Sequence, residues 1–486
     1  PPPSSTAALL TSAEALRAEL SEGSLHSSPP LPFLGRADEL AQLKAAWKIV
    51  EAGAGTEAVV MGPSGQGKTR LILEFLDSCG MLSFRGRCHP GEHIAFRALD
   101  GTVEELARWL EEQERAVEDA DLLRLFPALS SHSPPPTGGS PLQQRERAVD
   151  ALSALLTAVG AETPFVLWVD DLQWADQDSL SLLRALWQSP PRALLLLSSR
   201  PGEVAETNLQ QALPTAPGTA ISLAPLDGAI APSLAEVVTD PGQALAASGG
   251  NPFLLEEFIA RERGERGELQ PTQAEVLQLV SASAVPLEPA ALARARSHPT
   301  HLETLLSRMV KSRQLRRQQR GELLCIAPYH DQIRQRTLEN VSPTGMQVLH
   351  SSLADALDEI GASAARRVSH LMEARRDAEA GPLAVVAGDE ANQTLSFSAA
   401  AEFYTLALRL QPDSHPEADL HSRLAEARAN QGLGAQAAEH FLSAASLQVR
   451  SEDALPLRQR AAEQYLRTGH TQIGRQLLGE VLIAVG

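Results

Sequence analysis

The amino-acid sequence predicts an α/β P-loop NTPase fold, which is a parallel sheet covered by helices. A helical lid, a winged helix and all-α tetratricopeptide-like repeats are predicted to follow it. Three observations lead to this prediction. Short apolar runs alternate with helical patterns in the first half of the chain, a glycine-rich motif follows the first run, and the last third carries an internal helical repeat.

The apolar runs that we predict to be strands are short, and helical patterns separate them. They occupy residues 58–61, 82–87, 165–169, 193–198 and 220–223. Strands that alternate with helices indicate a parallel sheet with helices on its faces. The Ser/Pro/Gly-rich segment 131–141 is predicted to be a loop within a helical insertion before the third strand.

A phosphate-binding motif, GPSGQGKT, begins at Gly62, between the first predicted strand and a helix. Gly62, Gly65 and Gly67 allow backbone N–H groups to turn inward around phosphates, and the following helix N-terminus adds to this anion site. Lys68 is expected to reach the β- and γ-phosphates, and the Thr69 hydroxyl to ligate Mg²⁺. The expected cofactors are therefore ATP or ADP with Mg²⁺.

Charged residues follow the third and fourth strands of the predicted sheet, at the edge that also carries the phosphate loop. Asp170 is expected to complete the Mg²⁺ site with Thr69. Asp171 is predicted to orient or deprotonate the attacking water, and the alternative is an acid that caps a helix or braces its loop. Arg200 is predicted to sense the γ-phosphate or stabilise developing charge, and the alternative is a surface arginine. Asp176 and Asp178 are predicted to be helix caps.

Helices replace strands beyond residue 226. Residues 270–327 show three helical patterns and then two strand-like runs, QLRRQ and ELLCI, which together favour a winged helix. From residue 349 onward, similar segments recur at 400–407, 437–444 and 473–480. Offsets of 37 and 36 residues are typical of stacked helix pairs, and such repeats are expected to bind protein partners.

Composition restricts the partners and the location of the protein. The chain has 60 acidic and 42 basic residues, a net charge of -18, which disfavours direct contact with nucleic acid or an anionic membrane. No apolar run is long enough to span a bilayer, and three cysteines cannot form a disulfide framework. A cytoplasmic location is expected. Because the chain lacks an initial methionine, we expect it to be part of a longer protein.

Four segments together resemble the STAND class of signal-transduction ATPases, which are AAA-like. They are FLGRADEL from Phe33, DDLQWADQDSLSLL after the third strand, LLLLSSRPGE, and GNPF from Gly250. Three further segments resemble bacterial serine/threonine protein kinases that carry such an ATPase behind the kinase domain: RGRCHPGEHIAFRALDGTVEELARWL, PYHDQIRQRTLEN and LRQRAAEQYLRTGHTQIGRQLLGEVLIAVG. The resemblance implies a linked kinase domain, although this chain has neither an H-R-D nor a D-F-G motif of its own.

The resemblance also implies nucleotide contacts outside the phosphate loop. Adenine is expected to meet Gly35 and Arg36 on one side and Pro252 of the lid on the other. His330 resembles the histidine of the Met-His-Asp motif of plant immune receptors, which touches the ADP β-phosphate, although this chain has Tyr329 where that motif has Met. The alternative for His330 is a helix-start or core histidine. Nucleotide-dependent oligomerisation is a further expectation.

These patterns divide the chain into five predicted parts. The boundaries are 1–32 for an N-terminal helix and linker that could end an upstream kinase domain, 33–225 for the ATPase, 226–268 for the lid, 269–345 for the winged helix and 346–486 for the repeats. The predicted function is a regulatory ATP/ADP switch with slow hydrolysis. The alternatives are a transcription activator whose DNA-binding domain lies outside this chain, and an inert nucleotide-binding scaffold.

Overall fold

A computed structural model of the protein describes residues 32–90, 96–130, 138–263, 269–297, 301–320, 323–411 and 413–485. The N-terminal helix predicted within residues 1–32 lies outside the described residues, as does most of the loop predicted at 131–141.

The first unit is built on a five-stranded parallel sheet with strand order β2-β3-β4-β1-β5. Its strands are β1 (Thr56–Met61), β2 (Leu82–Arg87), β3 (Phe165–Asp170), β4 (Ala193–Ser199) and β5 (Thr219–Ser222). All five predicted strands are confirmed, with ends shifted by at most two residues. The central strands β3 and β4 are buried along their full length, which explains their continuous apolar sequences.

Helices cover both faces of this sheet, as predicted. They are α1 (Ala37–Glu51), α2 (Lys68–Cys79), α3 (Arg97–Glu112), α4 (Ala120–Leu125), α5 (Pro141–Glu162), α6 (Gln177–Leu186) and α7 (Glu203–Ala212). Alternate residues of one strand enter opposite cores: Ala58 and Val60 pack with α1 and α2, whereas Val59 joins the core under α3, α5 and α6. The fold therefore places the loops after the strands along one edge.

A small helical lid follows the sheet. Its helices are α8 (Ala231–Leu234), α9 (Pro241–Ser248) and α10 (Pro252–Glu262). The turn between α9 and α10 requires glycine, because Gly250 has φ +69° and an added Cβ would lie 2.2 Å from the Leu226 carbonyl oxygen. Asn251 then caps α10 by accepting hydrogen bonds from the backbone N–H groups of Phe253 and Leu254.

The third unit has the predicted order of three helices and a hairpin, and a further helix follows the hairpin. Its elements are α11 (Pro271–Ala282), α12 (Pro289–Ala295), α13 (Leu302–Lys311), β6 (Leu315–Arg320), β7 (Leu323–Pro328) and α14 (Asp331–Glu339). Strands β6 and β7 pair antiparallel, which is the wing of a winged helix. The core of this unit also takes in residues of the first repeat helix, such as Leu353 and Leu357.

The remainder of the described chain is helical and forms a stack. Its helices are α15 (Pro343–Glu359), α16 (Ala364–Glu373), α17 (Asp377–Gln393), α18 (Phe397–Leu410), α19 (Glu417–Asn430), α20 (Gly434–Ser446), α21 (Ser451–Arg467) and α22 (Thr471–Val485). The three predicted repeat segments fall on α18, α20 and α22, each the second helix of a pair. This region confirms the prediction of helical repeats.

The ATPase unit and the repeats are joined at Asp178, and we call this contact the Asp178 joint. One carboxylate oxygen of Asp178 accepts hydrogen bonds from the Ser396 hydroxyl (2.7 Å) and from the backbone N–H groups of Ser398 (3.1 Å) and Ala399 (3.4 Å). Its other oxygen accepts a hydrogen bond from Arg145 at 2.8 Å. Asp176 caps its own helix α6, as predicted, but Asp178 caps the N-terminus of α18 in the repeats.

Across the part of the chain that the structure describes, none of the helices combines the length and apolar character needed to span a bilayer.

Candidate nucleotide site

The glycine-rich motif forms a tight loop between β1 and α2. Gly65 and Gly67 have φ values of +84° and +87°, a region that favours glycine. An added Cβ at Gly65 would lie 2.6 Å from Oδ1 of Asn251, so the lid packs directly on this loop. The loop and the N-terminus of α2 form the cradle that a phosphate chain requires.

Lys68 lies in the centre of this cradle and is buried. Its ammonium donates hydrogen bonds to the carbonyl oxygens of Gly62 (2.7 Å) and Pro63 (3.2 Å), which belong to the loop itself. Burial lowers the pKa of Lys68, and the carboxylates of Asp171 and Asp170 partly oppose that shift. An anion beside this ammonium would relieve the cost of its burial, so the site fits a phosphate group.

Asp170 ends β3 and meets two hydroxyl groups. The Thr69 hydroxyl donates to its Oδ2 at 3.2 Å, and the Ser198 hydroxyl donates to its Oδ1. Burial, together with the charge of Asp171, raises the pKa of Asp170. A hard divalent cation prefers such oxygen ligands, so Thr69 and Asp170 fit the Mg²⁺ role that the sequence predicts.

Asp171 has an ion-pair partner that the sequence analysis missed. The Arg87 guanidinium donates to it at 2.8 Å, and the Gln173 side-chain amide donates at 3.0 Å. Burial raises the pKa of Asp171, but Arg87 and the Gln173 hydrogen bond outweigh that effect and lower it overall. A carboxylate held in this way is a weak proton acceptor, so its contacts favour orientation of water over proton abstraction.

Arg200 follows β4 and reaches across to the winged helix. Its guanidinium donates to Oδ2 of Asp331 at the start of α14, at 2.5 Å. Its backbone N–H donates to the Gln173 side-chain oxygen at 3.0 Å. Among the described residues, Nε of Arg200 is buried without a hydrogen-bond partner. Arg200 is thus held between two units and keeps one donor for a ligand.

Gly35 and Arg36 lie where the start of α1 meets the lid and the phosphate loop. Arg36 is buried, and its guanidinium donates to the carbonyl oxygens of Ala224 (2.5 Å) and Gln66 (3.4 Å). An added Cβ at Gly35 would lie 2.8 Å from Cγ2 of Ile230 in the lid. Both residues therefore join the lid to the phosphate loop, and their contact with adenine stays a prediction.

The lid and the winged helix both rest on the phosphate loop. Asn251 and Gln332 each donate a side-chain hydrogen bond to the Ser64 carbonyl oxygen, at 3.0 and 3.1 Å. The Phe253 backbone N–H donates to the Gly65 carbonyl oxygen at 3.2 Å. Pro252 is close as well, since its Cγ lies 3.8 Å from an added Cβ at Gly67. A nucleotide held on this loop would be enclosed by three units.

His330 caps α14, as the alternative interpretation of this residue states, and it also lies beside the lid. Its ring stacks on Phe253 with centroids 4.1 Å apart, and its Nδ1 accepts a hydrogen bond from the Gln332 backbone N–H at 3.1 Å. Burial lowers the pKa of His330 to about 4. The neutral ring must then carry its proton on Nε2, which leaves an N–H donor for a phosphate oxygen.

The sequence analysis missed several residues of this site. They are Arg87, Gln173, Ser198, Asn251, Asp331 and Gln332. Only Arg87 could have been found from the sequence, because it ends a parallel strand at the edge that carries Asp170 and Arg200. The others contact the site through tertiary packing, which leaves no local pattern.

Comparisons with known proteins agree with this fold. A family model described as the AAA ATPase domain matches residues 32–198. An uncharacterised protein of Rhizobium meliloti (strain 1021) is 27% identical over 219 residues, which cover 40% of this chain and 21% of that protein. A solved structure, the Signal Transduction ATPase with Numerous Domains (STAND) protein with a tetratricopeptide repeat sensor from Pyrococcus horikoshii, matches with a TM-score of 0.52 and 15% identity.

That structural match covers 94% of this chain and 65% of the Pyrococcus horikoshii chain. The chain spans about a fifth of the curated relative and just under two thirds of the solved structure. Residues 32–198 are therefore similar to AAA ATPase domains, and the whole chain is similar in fold to a STAND protein. This confirms the predicted AAA and STAND resemblance, whereas the association with a kinase stays a prediction.

The two neighbouring carboxylates are expected to give different defects when each is changed to its amide. Asp170→Asn should weaken Mg²⁺-dependent ATP binding, because it removes an anionic ligand of the cation. Asp171→Asn should leave binding intact and slow hydrolysis, because a neutral amide would hold the attacking water more weakly than a carboxylate. Titration with a fluorescent ATP analogue, with and without Mg²⁺, and a phosphate-release assay measure the two effects. Hydrolysis at the parental rate by Asp171→Asn would make Asp171 a structural acid.

Proposed function

We propose that this chain is a nucleotide-dependent regulatory ATPase switch, in which bound ADP holds the ATPase unit, lid and winged helix together. The observation that carries the proposal is the ion pair between Arg200 and Asp331. Arg200 stands at the sheet edge beside the phosphate loop, and Asp331 begins the winged-helix segment that rests on that loop. Arg200, which we propose to sense the γ-phosphate, is thus paired with a residue of the winged helix.

Asp331 and a γ-phosphate would compete for the charge of the Arg200 guanidinium, even though its Nε has no partner among the described residues and can meet a ligand first. A γ-phosphate that takes up Arg200 would release Asp331 and loosen the winged helix, whereas ADP lacks that phosphate and leaves the pair intact. A nucleotide that binds one state 100-fold more tightly supplies about 2.7 kcal/mol, which is enough to reverse a balanced equilibrium. Thr69 and Asp170 would hold Mg²⁺, which supplies charge neutralisation at the phosphates.

Asp331→Asn is expected to speed ADP release about tenfold, because loss of the charged hydrogen bond to Arg200 destabilises the closed state by about 1.5 kcal/mol. Stopped-flow dissociation of a fluorescent ADP analogue measures this rate. Glu303→Gln is a matched control, since it changes a winged-helix carboxylate whose partner, Arg317, belongs to the same unit.

Two results would contradict the proposed switch. One is an absence of ADP and ATP binding by the parental protein, which would remove the nucleotide role altogether. The other is an unchanged ADP release rate in Asp331→Asn.

His330→Ala provides a companion measurement: loss of a donor to the β-phosphate should speed ADP release roughly ten- to a hundred-fold, and a merely packed histidine would not affect that rate.

The helical repeats supply the output of the proposed switch. Stacked helix pairs present an extended surface suited to protein partners, and the Asp178 joint holds that surface against the ATPase unit. Release of the repeats would then make this surface available.

The linked kinase domain and nucleotide-dependent oligomerisation belong to the same proposal. Reading the gene upstream of Pro1 tests the first, and light scattering with ADP and with ATP tests the second.

A further inference from the structure

The wing hairpin faces the Mg²⁺ end of the candidate nucleotide site across a cavity of about 710 Å³. The ATPase unit contributes Thr69, Arg87 and Asp170 to the lining, and β6 of the wing contributes Arg316. The winged helix therefore approaches this site twice. Gln332 of α14 reaches the phosphate loop itself, and Arg316 faces the ion-binding end.

Arg316 lies where the burial of its positive charge costs free energy unless an anion binds beside it. Its Nε is buried, and among the described residues that atom has no hydrogen-bond partner. Burial and the neighbouring Arg87 lower the pKa of Arg316 to about 10, although Asp170 and Asp171 oppose the shift. A buried guanidinium that keeps a free donor is suited to binding an oxyanion.

The charges around this end of the site also favour an added anion. The cationic side chains are Lys68, Arg87, Arg200 and Arg316, and the carboxylates are Asp170, Asp171 and Asp331. The described lining of the cavity adds Arg85, Arg108 and Arg317 to the cations and Asp100, Glu104 and Glu105 to the carboxylates, so the cations exceed the carboxylates by one, whereas the chain as a whole has a net charge of -18. A local excess of cations in an acidic protein fits the terminal phosphate of ATP.

We propose that Arg316 is a catalytic residue for ATP hydrolysis, an arginine supplied in cis by the winged helix to the γ-phosphate. This rests on the proposed function, because it requires ATP on the phosphate loop. In the reaction, water attacks the γ-phosphorus and the bond to the β–γ bridging oxygen breaks, leaving its electron pair on ADP. The proton of the attacking water passes to bulk solvent, and Arg316 stabilises negative charge on the transferred phosphoryl oxygens.

The position of Arg316 ties hydrolysis to one conformation. Its strand belongs to the winged helix, so the guanidinium reaches the site only while that unit lies against the ATPase. Opening withdraws Arg316, and ATP is then protected from hydrolysis. When the chain closes on ATP, the arginine returns and hydrolysis regenerates the ADP-bound closed state.

Arg316→Ala is expected to lower the rate of ATP hydrolysis at least a hundredfold while changing ADP affinity less than threefold. A trapping experiment separates this role from a structural one. The parental protein should bind ADP with aluminium fluoride, which mimics the transferred phosphoryl group, more tightly than ADP alone, and Arg316→Ala should lose that gain. Arg316→Lys should recover little activity, since an ammonium lacks the planar fork of a guanidinium.

Arg317→Ala is the matched control on the same strand. Arg317 also lines the cavity, but its guanidinium lies near Glu303 and Ser307 of its own unit, so the hydrolysis rate of this variant should stay parental. Normal ADP binding by Arg316→Ala shows that the variant is folded. The proposal is overturned if that variant hydrolyses ATP at the parental rate or keeps the aluminium fluoride gain. It is also overturned, while the switch itself stands, if the parental protein binds nucleotides and hydrolyses none.

Discussion

Lys68→Ala is expected to reduce the affinity for ATP and ADP at least tenfold, and by up to about a hundredfold. Lys68 is buried, and within the described part of the chain its ammonium is bonded only to carbonyl oxygens of its own loop, so phosphates are the partners that would compensate its burial. A hydrogen bond between charged groups contributes about 1.5 to 3 kcal/mol, which corresponds to this range. Titration with a fluorescent nucleotide analogue measures both affinities.

The fold should survive this substitution, because the ammonium end of Lys68 contacts the phosphate loop rather than a hydrophobic core. The melting temperature without nucleotide should therefore stay close to the parental value. Lys48→Ala is the control. Lys48 is an exposed lysine in the last turn of α1, so this substitution removes the same charge at a place away from the phosphate loop. Nucleotide affinity that is equal in the parental protein and Lys68→Ala would exclude Lys68 from the site.

Asp178→Ala is expected to lower the free energy of unfolding by about 3 to 5 kcal/mol, the usual cost of breaking a buried ion pair. The Asp178 side chain is 1% exposed and bonds to Arg145 and to the start of α18 at once. Its loss would leave Arg145 buried without that carboxylate and would remove the cap of a repeat helix. Urea denaturation measures the change.

A neighbouring acid gives this experiment its control. Asp176 begins the same helix α6 and caps it, so Asp176→Ala should cost about 1 kcal/mol. Asp178→Ala should also make the segment between α17 and α18 more sensitive to limited proteolysis. If the two alanine variants lose equal stability, the Asp178 joint does not hold the repeats on the ATPase unit.

Sequence reasoning predicted the features whose cause is local. Strand positions followed from apolar runs, and the phosphate loop followed from a motif whose glycines have a steric purpose. The edge that carries Asp170 and Arg200 followed from one rule, namely that parallel strands end on the same side of a sheet. The same rule extends to Arg87 at the end of β2, since that strand also belongs to the sheet.

Sequence reasoning could not identify partners that are brought together by the packing of separate units. Arg200 and Asp331 are 131 residues apart, and Asp178 bonds to a residue 218 positions later. No periodicity or spacing connects such pairs. Arg316 shows a related limit. The sequence contains several basic residues in the wing, and only the fold shows that Arg316 interacts with Asp170 while Arg317 lies near Glu303 and Ser307.

The joint between the repeats and the ATPase unit also has a hydrophobic side. Leu395 and Phe397, from the repeats, are fully buried within the same core cluster as Leu180 and Leu183 of α6. Separation at this joint would bring apolar surface from both partners into contact with water. Such surface promotes association with other apolar surfaces, so opened chains would tend to bind one another. The concentration of opened chains would then determine whether each chain closes again or associates with others.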